Sequence, residues 1–137
     1  MKVTRIRALR GPNLWSRHTA IEAVVYCNDE ERSIGRNREF LRNWRQLVPQ
    51  ASIFQPSGHY GAVTLAHLLE RATLGLQVQA GCPVAFSKTI QTLEAGTCQI
   101  VIEYSEEAVG RLALELAQKL CHAAAHNLPS DMADPMG

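Results

Sequence analysis

The sequence predicts an α+β fold: one antiparallel sheet with helices packed on one face, in a single domain. Three observations carry the prediction. Segments near residues 3–9, 19–27, 84–90 and 97–104 are short and read as strands, the first, second and fourth with a clear two-residue period. Longer segments near 37–48, 62–79 and 106–125 place apolar side chains at helical spacing. The resulting order, β-β-α-α-β-β-α, sets strands in adjacent pairs, which short connections can join as antiparallel neighbours. At 137 residues the chain is long enough to bury a core of its own.

Val3 to Leu9 is read with Thr4, Ile6 and Ala8 on one face and Val3, Arg5 and Arg7 on the other; Gly11-Pro12-Asn13 ends it. In Thr19 to Cys27, residues Ile21, Ala23, Val25 and Cys27 face one way. Asn28 to Arg36 is polar and is read as a loop. From Asn37, the positions Phe40, Leu41, Trp44, Leu47 and Val48 follow helical spacing until Pro49, which stops the helix. Residues 50–61 contain Pro56, Gly58 and Gly61 and are read as a loop. In helix 62–79, Leu65, Leu68, Leu69, Ala72 and Leu76 make a core stripe, while His67, Glu70, Arg71 and Leu74 share another. Gly81 can cap this helix. Val84–Ile90 and Thr97–Tyr104 are joined by a turn around Gly96. In the second of these, Cys98, Ile100 and Ile102 alternate with Gln99, Val101 and Glu103. Ser105 is a natural N-cap for the last helix, and Glu106 and Glu107 put negative charge in its first turn. Val109, Leu112, Ala113, Leu116, Ala117, Leu120, Cys121 and Ala124 form its apolar face; Glu107, Arg111, Glu115 and Lys119 form an i,i+4 ladder outside. Residues 126–137 lack periodicity and are read as a polar tail or linker, leaving 1–125 as the folded domain.

Composition narrows the function classes without choosing one. Hydrophobic residues are 46% and charged residues 20%, as in water-soluble globular proteins. No apolar run approaches the roughly 18 residues of a membrane helix. Met1-Lys2-Val3-Thr4-Arg5 leads into a strand rather than an apolar signal segment, so a cytoplasmic protein away from membranes is expected. Cys27, Cys82, Cys98 and Cys121 form no C-x-x-C pair and read as free, buried thiols in a reducing compartment. The net charge of +1 conceals a division: residues 1–50 hold ten of the fourteen Lys and Arg against five acids, a balance of +5, and the remainder stands at −4. A basic half admits an anionic-polymer or protein-interaction module. Aromatic residues are 6% and none interleaves with the arginines, so nucleic acid is not the expected partner.

The most specific local signal is His67-Leu68-Leu69-Glu70-Arg71. It follows the inverted zinc-hydrolase pattern His-x-x-Glu-His with arginine in the last place. In the intact pattern two histidines at i and i+4 hold zinc from one helix face, and the glutamate is general base toward the metal-bound water. Arginine keeps its proton and has no lone pair to give a metal. No resident metal and no catalytic residue is therefore expected, and His67 and Glu70 are read as remnants of a hydrolytic site. His59 is the nearby spare histidine. His122 and His126 stand at i,i+4 and could take up zinc or nickel adventitiously, although a fraying helix end is the simpler reading.

Several longer stretches together resemble one family. Leu9-Arg10-Gly11-Pro12-Asn13, followed by Trp15-Ser16, resembles the opening Leu-Arg-Gly-Pro-Asn-x-Trp-Ser of cyanophycin synthetases. His67-Leu-Leu-Glu70 is similar to their His-x-x-Glu-His segment, and Phe86-Ser87-Lys88-Thr89 to their Phe-Gly-Arg-Thr. Gly96 through Val101-Ile102-Glu103-Tyr104, then Glu107, Gly110 and Arg111, resembles their Gly-x-x-x-Val-Val-x-Glu-Tyr stretch and the helix after it. The matches run through roughly residues 1–125 in consistent order, which short-motif chance does not readily produce.

The resemblance is to the N-terminal domain of such enzymes, and it implies a role. Cyanophycin, a nitrogen-storage polymer, is a poly-aspartate backbone carrying arginine on each side chain. The synthetase is an ATP-dependent ligase that adds aspartate and then arginine. Its ATP-grasp and Mur-ligase-like domains, with their ATP and magnesium, would lie beyond the tail, and the full-length enzyme would be a homo-oligomer. The N-terminal domain is understood to hold the polymer, with no cofactor of its own for that task. In some members it also trims polymer at a metal site built from the two histidines, the glutamate and a downstream acid, for which Glu103 corresponds here. The polymer-binding positions implied are His67, Glu70, Arg71, Lys88, Thr89 and Glu103. Arg71 departs from the pattern, as do Ile90, Thr64 and Ala66 around it. A polymer-holding domain with a degenerate hydrolytic site is the expectation; a metal-dependent hydrolase trimming cyanophycin is the alternative. Arg71 is expected to take over the charge of the missing metal by pairing with Glu103 across from the helix.

Overall fold

The computed structural model describes residues 1–13, 17–33, 37–48 and 65–125. Strands β1 (Lys2–Leu9), β2 (Ala20–Tyr26), β3 (Ser87–Gln91) and β4 (Thr97–Glu103) form one sheet in the order β1-β2-β4-β3. Every neighbouring pair is antiparallel. The helices are α1 (Asp29–Ser33), α2 (Arg38–Leu47), α3 (Leu65–Gln79) and α4 (Glu107–Ala125). The α+β class is the expected one. Readings that fall on Trp15-Ser16, the 50–61 loop, His59, Thr64 and the 126–137 tail lie outside the described residues.

Register sets the inward face of the sheet. Ile21 pairs with Ile102, Ala23 with Ile100 and Val25 with Cys98, and all six are buried. α3 packs on β3 and β4, α4 on α3 and β2, and α2 on α4. One core cluster joins these strands to Phe40 and Trp44 of α2, Leu68 and Leu69 of α3, and Leu114 and Ala117 of α4. In contact with both the sheet and α4, α3 is buried almost all round, including Glu70, Thr73 and Gln77. Burying Leu65, Leu68, Leu69 and Leu74 contributes about 1.5–3 kcal/mol each. Each polar group left unpaired would cost about 1–3 kcal/mol. The position of α3 is therefore tenable when its polar side chains find partners. Thr73 donates to the Leu69 carbonyl at 2.8 Å and Gln77 Nε2 to the Glu103 carbonyl at 2.9 Å, while Gln77 Oε1 is buried without a hydrogen-bond partner among the described residues.

Several local expectations are corrected. Val3 lies opposite Val25 and Ala8 opposite Ile21, so both face the core although strict alternation would put them on opposite faces. A bulge between Thr4 and Arg7 absorbs the extra residue, with Arg5 at φ 52°. Simple alternation fails there, and Ile6 is exposed. Asp29–Ser33 is a short helix, not loop. Asn28 Oδ1 accepts from Glu31 N at 2.8 Å while the Glu31 carboxylate accepts from Asn28 N at 3.0 Å, a reciprocal cap that closes its first turn. β3 begins at Ser87 rather than Val84, because the amides of Ala85 and Phe86 donate to the Glu103 carboxylate.

On α4 the buried positions are Gly110, Ala113, Leu114, Ala117, Cys121 and Ala124, while Leu112 and Leu116 are exposed. The small residues let the helix approach closely: a Cβ at Gly110 would lie 2.8 Å from Tyr104 Cβ and 3.0 Å from Ile21 Cδ1. That approach rotates Leu114 inward. The outer ladder closes at Glu107–Arg111, 2.9 Å apart. Glycine is required at Gly96, in the β3–β4 turn. Its φ is 76°, and a Cβ there would meet the Cys27 carbonyl at 2.6 Å. All four cysteines are free thiols. Cys27, Cys98 and Cys121 are buried, and burial pushes Cys27 up to about 11 and Cys121 to about 12. Among the described residues no helix is long and apolar enough to cross a membrane.

Candidate functional site

Spacing i, i+3 and i+4 sets His67, Glu70 and Arg71 on one side of α3. That side meets β3, where Ser87 and Thr89, opposite Ile102 and Ile100, share the helix-facing side of the sheet. Glu70 lies at the base of the cluster, 1% exposed. It accepts hydrogen bonds from Ser87 Oγ, which is very close, and from Thr89 Oγ1 at 2.8 Å. His67 Nδ1 stands 3.2 Å from Glu70 Oε1. Arg71 Nη1 stands 3.6 Å from Glu70 Oε2 and donates to Ser87 Oγ at 3.1 Å. Imidazole and guanidinium form the more accessible rim of the cluster.

Burial by itself would raise the Glu70 pKa. The hydrogen bonds from His67, Ser87 and Thr89, with the proximity of His67, outweigh it and hold the carboxylate below its usual range. Glu70 is thus a fixed anion with both oxygens engaged. The rim offers donors and positive charge. The set does not fit a zinc ion: the guanidinium has no lone pair, and hydroxyls occupy both Glu70 oxygens. Among the described residues no three His, Cys, Asp or Glu side chains are grouped to hold a metal.

Four of the six sequence-predicted positions meet here: His67, Glu70, Arg71 and Thr89. Lys88, paired with Val101, belongs to the opposite sheet face. Glu103 is buried, but its Oε1 accepts from Ala85 N and Phe86 N, both at 2.9 Å, and its Oε2 lies 3.9 Å from His18 Nδ1. The expected Arg71–Glu103 pair is therefore replaced by Arg71–Glu70, because backbone amides already satisfy Glu103. Ser87 was missed. Its signal was the two-residue spacing from Thr89 in an alternating strand. Of the departures around the motif, Ala66 is buried and Ile90 is half-buried opposite Gln99.

The Arg10-Gly11-Pro12-Asn13 segment has a structural task. Arg10 grips Glu107 with Nε and Nη2 at 2.7 and 3.0 Å, and Arg111 adds a third bond at 2.9 Å. These bonds, Arg10's first, lower Glu107 to about 2. Asn13 Nδ2 donates to the carbonyls of Gly11 and His18, each at 3.0 Å, closing the turn. The end of β1 is so tied to the start of α4.

Residues 59–126 match the cyanophycin synthase-like N-terminal domain family. Over an alignment of 137 positions the chain is 32% identical to cyanophycin synthetase of Trichormus variabilis, taking in 90% of this chain and 15% of the relative. The same figures hold for cyanophycin synthetase of Nostoc sp.. That of Geminocystis herdmanii is 30% identical over 135 positions, again 90% of this chain and 15% of the relative. The chain belongs to this family. It spans about 15% of the length of the curated relatives named above. The family match to the cyanophycin synthase-like N-terminal domain includes α3, β3, β4 and α4, and so takes in the whole cluster around Glu70. The likeness to the cyanophycin synthetases covers 90% of the chain and so reaches beyond these elements.

Proposed function

We propose that this domain holds the cyanophycin polymer for an ATP-dependent ligase and does not cut it. The observation that carries the reading is Arg71. Its guanidinium sits beside Glu70 and Ser87, in the place a second imidazole would need to complete a metal site. It supplies positive charge without Lewis acidity. Glu70, tied to Ser87 and Thr89, anchors Arg71 and His67 and is not poised to take a proton from water.

The polymer's free carboxylates would be read by the rim donors of Arg71 and His67, as charge-assisted hydrogen bonds. Thr89 and Glu70 support that rim from beneath. Lys88 offers its cation from the other sheet face, and Glu103 acts at one remove, shaping the 85–86 backbone. Amino-acid addition, with its ATP, magnesium, ATP-grasp and Mur-ligase-like domains, belongs to other regions of a longer cytoplasmic, self-associating protein. The first test is cleavage. The 137-residue chain is incubated with insoluble cyanophycin, with added zinc and with a chelator, and soluble fragments are measured. No release is expected under either condition; release that the chelator abolishes would show a working metal hydrolase.

A further inference from the structure

α2 is fixed to the body by one side. Phe40 and Trp44 are 2% and 1% exposed, packed into the core from the α4 side. The opposite side carries Arg38, Arg42 and Arg45 at i, i+4 and i+7, all exposed. With Leu41 and Gln46 they line an open recess of about 500 Å³. Four other exposed arginines are matched by acids, Arg7 by Glu22, Arg10 and Arg111 by Glu107, and Arg32 by Asp29, whereas the exposed Arg5 and Arg17 stand singly rather than in a row along one helix face. Among the described residues no carboxylate lies within ion-pair distance of Arg38, Arg42 or Arg45. Three like charges on one helix face repel one another, and an acidic partner would relieve that repulsion.

We propose that the outer face of α2 is a second polymer-docking stripe, taking successive carboxylates of one extended polymer strand. This rests on the reading of the domain as a polymer holder. Guanidinium forks suit carboxylates. Arg38 and Arg45 are about 10 Å apart along the helix, and alternate side chains of an extended polypeptide recur about every 7 Å. Two or three carboxylates of one strand can therefore meet the stripe. Leu41 gives the recess an apolar patch and Gln46 an amide, both suited to a peptide backbone. The aromatic rings of α2, Phe40 and Trp44, are buried, so none is free to stack on a base. That favours a carboxylate polymer over nucleic acid.

The test compares retention of the full chain on insoluble cyanophycin and on immobilised poly-L-aspartate. Wild type is set beside R38Q/R42Q/R45Q and R38K/R42K/R45K, with thermal melting as the check on folding. The glutamine variant should bind both matrices roughly tenfold or more weakly, and the lysine variant should fall between it and wild type. Should the glutamine variant misfold, Arg42→Gln alone should still weaken binding severalfold. Undiminished retention of the glutamine variant on either matrix would overturn the stripe while leaving the domain reading intact. Wild type failing to bind cyanophycin at all would remove that reading and the stripe with it. Tighter binding of duplex DNA than of poly-aspartate at equal salt would also overturn the assignment to carboxylates.

Discussion

Replacing Glu70 perturbs the cluster at its base. The side chain is 1% exposed and accepts from the Ser87 and Thr89 hydroxyls, with His67 at 3.2 Å and Arg71 at 3.6 Å. Glu70→Gln keeps the volume but offers one accepting oxygen in place of two. One hydroxyl must then turn or go unpaired, and Arg71 loses its nearest counter-charge. A hydrogen bond to a charged group contributes about 1.5–3 kcal/mol, and an unpaired buried donor costs about 1–3 kcal/mol. Removing a buried charge offsets part of this, leaving a net loss of about 1–3 kcal/mol for Glu70→Gln. Glu70→Ala also opens a cavity and should cost about 3–5 kcal/mol. Urea denaturation followed by circular dichroism reads both. A cycle of Glu70→Gln with Thr89→Ala should show coupling of about 1 kcal/mol. The sign with pH follows from the depressed carboxylate. Its contribution is present above the ordinary value of 4.5 and fades as pH falls below that toward the folded pKa. The gap between wild type and Glu70→Gln should accordingly narrow on acidification below 4.5. Glu70→Gln matching wild type within about 0.3 kcal/mol, with additive effects at Thr89, would refute the reasoning.

Three other perturbations probe separate parts of the structure. Arg71→His restores the i,i+4 histidine pair and should raise zinc affinity by roughly tenfold or more in calorimetric titration, since two neutral imidazoles then share a helix face; unchanged affinity would mean that the Glu70–Ser87–Thr89 bonds still close the site. Gly110→Ala should destabilise by about 1–3 kcal/mol in urea, because its Cβ would press on Tyr104 and Ile21; a neutral result would show that α4 can move away at no cost. Arg10→Ala should return Glu107 from about 2 toward 4.5 in an NMR titration, so that its share of stability, present above 4.5 in wild type and lost toward about 2, disappears; an unmoved Glu107 would place its stabilisation on Arg111 alone.

Much of this was legible in the residues and some was not, for identifiable reasons. Cys98, Ile100 and Ile102 pair with Val25, Ala23 and Ile21 in one buried layer, as their alternation implied. The β1 bulge was hidden because it appears only against the register of β2. Leu112 and Leu116 looked like core on α4; the small face of Gly110, Ala113 and Ala117 determines which side approaches the sheet, and no periodicity encodes a neighbour's shape. At the site, helical spacing was enough to join His67, Glu70 and Arg71. Charge pairing misplaced Glu103, whose partners are backbone amides that side-chain reasoning does not see.

The central claim is that the domain grips cyanophycin with no metal, and co-sedimentation tests it most directly. The 137-residue chain is mixed with insoluble cyanophycin at low salt, with or without a chelator, and the pellet and supernatant are assayed for protein. The protein should pellet with the polymer, the chelator should leave this unchanged, and added salt should release it, as expected of a grip made of screened ion pairs. Protein remaining in the supernatant at low salt, or retention abolished by the chelator, would contradict the claim.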